Sequence, residues 1–431
     1  MTRLIIFILS LATTTRVIAQ SKNFITTDID NFWAAYDKIS STNDSIQQYV
    51  YLKELYFDKA TAGLKSLLQV RNYSDKEFIG AINSYPKFWT SIRKNTLTVK
   101  EHYSEIESSI ENLRTVYPSL KPSTIYFAIG AFRTGGTTQD DRVMIACELS
   151  FADKSVFIDE LPAWLQPFYR LYDPINDITL LCTHEYVHTQ QKAVVNNLLC
   201  NSLREGVAEF VSCLVTDKPS NTPSFEFASK NEELVRKKFI DDVFIPSRMY
   251  NWIWGENKNE LKERDLGYYI GYRICENYYN KAKNKQQAIN DLIELDYSNE
   301  KSVETIIDRS GFFNKTIKQL NKSYDKSRPK ITNIEQFKNG SVHISPNLKR
   351  ITLHFSTEMN KNRRGFDYGP LGGNNVLLVK KAIGFSEDGK SFTFEVELKP
   401  NTRYQSLVTN NFVSINGVPL KPFLIDIRTT K

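Results

Sequence analysis

Apolar positions recur at helical spacing through residues 25–120, in long stretches with few glycines and with start signals such as Ser74-Asp75. This part is predicted to be mostly helical. The pattern then breaks. Residues 123–130 (STIYFAIG) and 142–149 (RVMIACEL) read as two strands, bounded by Pro122 and by the turn-rich stretch 133–138. Helical character returns over 177–191 (DITLLCTHEYVHTQQ), with Asp177 at the start, no Gly or Pro inside, and Leu180, Leu181 and Val187 for packing. A second helix is expected over 201–211, capped by Asn201 or Ser202. Residues 225–325 are again helix-rich, interrupted by Trp252-Ile253-Trp254-Gly255, a buried or cleft-lining loop. Pro329 in Ser327-Arg328-Pro329-Lys330 marks a linker. Beyond it the period changes to two: 351–355, 391–398 and 423–427 alternate, separated by turns at Asp388-Gly389, Pro400-Asn401 and Asn416-Gly417. About 100 residues of short strands with regular turns predict a β-sandwich. The fold class is α+β, a mostly helical domain with a small mixed sheet followed by an all-β module.

The segment 184–188 reads His184-Glu185-Tyr186-Val187-His188, in a chain with five histidines in all. Histidines at i and i+4 stand one above the other on a helix face, so both imidazoles reach one metal ion. Glu185 lies between them, beside the open coordination position, where a carboxylate takes a proton from water. A zinc site needs a third protein ligand. Glu205 and Glu209, spaced i and i+4 on the second helix, are the two candidates.

HExxH followed by Arg204-Glu205-Gly206-Val207-Ala208-Glu209-Phe210 resembles the gluzincin metallopeptidases. That resemblance implies a zincin-like fold and one Zn2+ per chain held by His184, His188 and Glu205. It implies Glu185 as general base, and Glu209 as an acceptor that orients a ligand. Gly206 matches the family pattern and lets helices approach closely. The stretch 265–273 (DLGYYIGYR) is similar to the family's oxyanion segment and puts Tyr268 in the donor's place, although Ile270 stands where the family has Lys. Peptidases of this kind hold an extended peptide on a sheet edge, and 142–149 is the edge expected here. With IYFAIG, GGT, THEYVH, REGVAEF and YYIGYRI, residues 25–325 are similar to the predicted zinc-dependent proteases related to gliding-motility lipoprotein B. The strings FSTEMN (355–360) and LKPNTRYQSLV (398–408) resemble the SbsA-type bacterial Ig-like domain.

Composition adds location and partners. Residues 1–20 carry Arg3, an apolar run over 4–12 and Val17-Ile18-Ala19, the pattern of a cleaved signal peptide. The expected organisation is therefore 1–20 signal peptide; 21–328 metallopeptidase domain (21–120 helical, 121–215 strands and zinc helices, 216–328 helical); and 329–431 Ig-like sandwich. Export to the periplasm or cell surface follows, with no membrane-spanning segment. Five cysteines leave at least one unpaired thiol within the chain, and none has metal-ligand spacing. Residues 331–431 hold 14 Lys/Arg against 8 Asp/Glu, six of the net charge of +7, so the basic excess belongs to the terminal module. A solvated face accounts for it, with an anionic cell-surface polymer as the alternative partner. Nucleic acid is not expected. A peptide or protein is the expected substrate, and the lack of a string that grips a substrate amino terminus favours endopeptidase over aminopeptidase action. A non-catalytic envelope scaffold and an adhesion protein acting through the basic module are the rival readings.

Overall fold

Four short strands build the first sheet: β1 (Phe24–Ile25), β2 (Thr124–Ala128), β3 (Gly136–Gln139) and β4 (Arg142–Ala146), in the order β1-β2-β4-β3. A computed structural model of the protein describes residues 23–254 and 261–431. The expected signal peptide and Gly255 lie outside them. Helix accounts for 48% of the described residues and sheet for 14%, the α+β class expected. The chain divides into two compact units, residues 1–190 with 215–218 and residues 191–214 with 219–431.

In the first unit β1 and β2 run parallel, β2 and β4 run parallel, and β3 closes the sheet antiparallel to β4. The turn between β3 and β4 places Asp140 at φ 54°, the left-handed region that aspartate tolerates. Two expectations are corrected here. The stretch 133–138 is not all turn, because Gly136, Thr137 and Thr138 pair with Ile145, Met144 and Val143. The stretch 142–149 is not the edge either: β4 lies between β2 and β3, and Val143, Met144, Ile145 and Ala146 are all fully buried. An interior strand covered on both faces is continuously apolar. The edge is β3.

Helices cover the sheet as the periodicity of 25–120 foretold: Thr27–Ile39, Ser45–Leu52, Ala62–Val70, Asp75–Ser84, Pro86–Thr96 and Tyr103–Val116. Ser74 and Glu77 form a reciprocal capping box at the helix start the sequence marked. The first helix buries Ile29, Phe32, Trp33, Tyr36 and Ile39 on one stripe. Phe32 meets Trp33, Tyr56 and Trp89 with ring centroids 5.1–5.4 Å apart, an aromatic core that fixes how these helices lie.

The second unit opens with most of the helix Leu198–Thr216 and continues through Pro223–Lys230, Glu232–Asp242, Leu266–Lys281, Lys285–Ile293, Glu300–Ser310 and Ile317–Ser327. The first of these starts earlier than the caps suggested, so Asn201 and Ser202 lie inside it. Asn197 performs the capping, its side-chain oxygen accepting from Cys200 N at 2.8 Å, while Leu198 and Cys200 extend the buried face. After the linker come β5 (Ile331–Ile334), β6 (Arg350–Phe355), β7 (Phe366–Asp367), β8 (Lys381–Phe385), β9 (Ser391–Glu395), β10 (Arg403–Val408) and β11 (Phe423–Arg428). They form one sheet in the order β5-β6-β9-β8 and another in the order β11-β10-β7. Ile351, Leu353, Phe392 and Phe394 of the first share a core with Tyr404, Val408, Ile425 and Ile427 of the second. The alternation along each strand supplies these residues.

Candidate metal centre

The HExxH segment lies on the helix Ile178–His188, where every residue except Leu181 is buried. A helix buried all round needs its polar groups satisfied from within the protein. Thr183 Oγ1 pairs with Ser109 Oγ at 2.8 Å on the neighbouring helix 103–116 and donates to Thr179 O at 2.8 Å. Tyr186 Oη accepts from Ser123 N at 2.8 Å, at the entry to β2. These two ties fix the rotation of the helix about its axis, and with it the direction of both imidazoles.

His184 and His188 meet with their rings 83° apart and their Nε2 atoms at 3.1 Å. One ligand atom from each of His184, His188 and Glu205 lies within 4.8 Å of the other two, and all three residues are buried. No other such group of three occurs among the described residues. The donor set fits zinc. Two nitrogens bound at 2.0–2.1 Å on a tetrahedral ion stand about 3.3 Å apart, close to the observed spacing. Imidazole and carboxylate are also the donors that zinc accepts. Glu209, one turn further on, is buried as well but stands outside the group.

Glu185 is buried and rests against the first residue of the edge strand. A Cβ added to Gly136 would lie 2.7 Å from Glu185 Oε1 and 2.8 Å from its Cγ, so only glycine leaves room for this carboxylate. The Gly135-Gly136 pair read as turn residues, and their steric role was not legible. Burial pushes the Cys182 thiol well up, with the charge of Glu185 adding to it, so Cys182 stays protonated. It is a packing residue, as its spacing indicated.

Glu205 stands on the Leu198–Thr216 helix with Arg204 Nη1 at 3.5 Å from its Oε1. Gln191 Nε2 donates to Arg204 O at 3.0 Å and to Tyr297 Oη at 3.1 Å, which ties the start of this unit to the turn that carries Glu205. Gly206 does allow a close helix approach, and its partner is Gly271 on the Leu266–Lys281 helix. A Cβ on Gly206 would lie 2.1 Å from the carbonyl carbon of Gly271, and one on Gly271 would lie 1.8 Å from Ser202 O. Tyr268, half-buried, sits on this same helix, and its Oη accepts from Trp254 Nε1 at 3.0 Å. Trp254 is held in turn by Asp265, whose Oδ1 accepts from the Trp254 backbone N–H at 2.8 Å. Trp252 and Ile253 are fully buried, whereas Trp254 is 47% exposed, so the loop is both buried and surface-lining.

Sequence reasoning missed Glu148. It is fully buried just beyond β4, and desolvation pushes its carboxyl up to about 7 against the pull of backbone N–H bonds from Gly130 and Phe132. Nothing in its local sequence marks it, since its neighbours come from the crossover between β2 and β3.

No family model matches the chain, and no curated protein matches it. Among solved structures it is similar to the S-layer protein rSbsC(31-844), at 11% identity over 62% of this chain and 43% of that one, with a TM-score of 0.18. The N-terminal part of the bacterial S-layer protein SbsC also matches, at 11% identity over 94% of this chain and 72% of that one, with the same TM-score. The chain thus spans less than half of the first of these structures, and a TM-score this low carries no argument.

Proposed function

We propose that the protein is an exported zinc-dependent peptidase of gluzincin type. The observation that supports this best is the buried grouping of His184, His188 and Glu205. When bound there, zinc would supply Lewis-acid chemistry, polarising a carbonyl and acidifying water. Glu185 acts as general base toward the attacking water and returns the proton to the departing amine. Its buried carboxylate, backed by Gly136, has one narrow range of positions from which to do so. Tyr268, steadied by Trp254, donates to the oxyanion that develops on the substrate. The peptide lies along β3, the edge strand of the sheet. An endopeptidase is favoured over an aminopeptidase. The two-sheet C-terminal region acts as an Ig-like appendage, and its basic excess is a solvated face.

The experiment is metal analysis of the purified chain together with a proteome-derived peptide cleavage screen, with Glu185→Gln as control. Stoichiometric zinc and cleavage that Glu185→Gln abolishes are expected. Zinc-free protein after metal reconstitution, or cleavage that survives the substitution, would overturn the reading.

A further inference from the structure

After β2 the chain does not turn directly into its neighbour. It crosses the carboxyl end of β4 through residues 129–135, enters β3 on the far side, and returns as β4. Glu148 emerges from that end of β4, and both of its carboxyl oxygens are spent on the crossover: Oε2 accepts from Gly130 N at 2.8 Å and Oε1 from Phe132 N at 3.1 Å. The crossover backbone is shaped to this carboxyl. Phe132 takes φ 66°, and a Cβ on Gly130 would lie 2.7 Å from Glu148 Oε1 and 2.7 Å from Tyr73 Oη. Other side chains hold the residues on either side. Tyr56 Oη bonds both the N–H and the carbonyl of Ile129, Tyr73 Oη accepts from Arg133 N at 3.1 Å, and the Arg133 guanidinium pairs with Glu77. The crossover ends on Gly136, the residue packed against Glu185.

We infer that Glu148 is a positioning residue for the reaction: by gripping Gly130 and Phe132 it sets where the crossover delivers Gly136, and so where Glu185 points. The inference rests on the peptidase reading for its kinetic half only. A buried carboxyl that served the fold alone could be replaced by apolar packing without touching turnover. One that places a reacting group within a fraction of an ångström alters the chemical step.

The test compares Glu148→Ala and Glu148→Gln with the unsubstituted protein, by hydrogen exchange across residues 129–139 and by kcat and KM per bound zinc. Glu148→Ala is expected to raise exchange at residues 130–136, to keep zinc content, and to lower kcat per zinc at least about ten-fold with a smaller change in KM. Glu148→Gln keeps one acceptor and is expected to fall between the two, which decides the matter should the alanine variant not fold. Unchanged exchange at 130–136 would overturn the clamp itself. Raised exchange with full turnover per zinc would overturn the positioning role. Should the unsubstituted protein lack zinc and activity, the proposed function fails instead, and the exchange data alone judge the clamp.

Discussion

Gly136 and Glu185 occupy one space between them: the glycine has no Cβ where the carboxylate lies, 2.7 Å from the position a methyl would take. The edge strand therefore begins on the residue that bounds the proposed general base. Gly136→Ala is expected to push Glu185 or the strand aside. A displacement near an ångström costs about a hundred-fold in turnover. Zinc content should stay unchanged, and steady-state kinetics normalised to metal would check this.

The two carboxylates of the Leu198–Thr216 helix should separate by function. Glu205→Ala removes a donor from the buried group and is expected to weaken zinc binding more than about ten-fold, measured by competition with a chelator. Glu209→Ala should weaken it less. The opposite order would move the third ligand to Glu209.

Helix packing beneath Glu205 offers a stability test. A Cβ at Gly206 would meet backbone, 2.1 Å from the carbonyl carbon of Gly271, and backbone cannot swing away as a side chain can. Gly206→Ala should cost at least the roughly 1–3 kcal/mol typical of overpacking, read as a lowered denaturant midpoint. Gly80→Ala, where nothing lies within 4 Å, should be neutral or stabilising.

Glu148 also gives stability a pH dependence. Tyr56, Tyr73, Tyr169 and Cys147 feel its charge, and burial pushes all four of them upward, so they remain neutral as it titrates. Because its carboxyl is raised from 4.5 to about 7 in the folded chain, the folded state holds the proton more tightly than the unfolded state. Its contribution is therefore intact at low pH. It is lost as pH rises from the unfolded value through about 7, by up to roughly 3 kcal/mol, and is level above that. Urea unfolding from acid to neutral pH should show this fall, and Glu148→Gln should remove it.

Legibility followed the range of the interactions. His184, Glu185 and His188 sit within one helical turn, so spacing alone brings them to one place. Ser74 and Glu77 are equally local, and their cap formed where the sequence marked it. Glu205 needed a family resemblance, because no spacing rule distinguishes it from Glu209. Gly136-Thr137-Thr138 misled, since glycine and threonine carry no apolar alternation and become a strand only through the ladder that β4 provides. That same ladder moved β4 from edge to interior. Glu148 was silent for a related reason: its partners lie 16 and 18 positions away, across a loop whose path only the folded chain defines.

All five sulfhydryl groups lie inside the folded chain, and burial pushes those of Cys147, Cys182, Cys200 and Cys275 upward. Nucleophilic sulfur is thus withheld from reagents until the chain opens. A maleimide or aromatic disulfide added to the native protein will react at the pace of unfolding, which gives this molecule an intrinsic clock for its kinetic stability without any added probe.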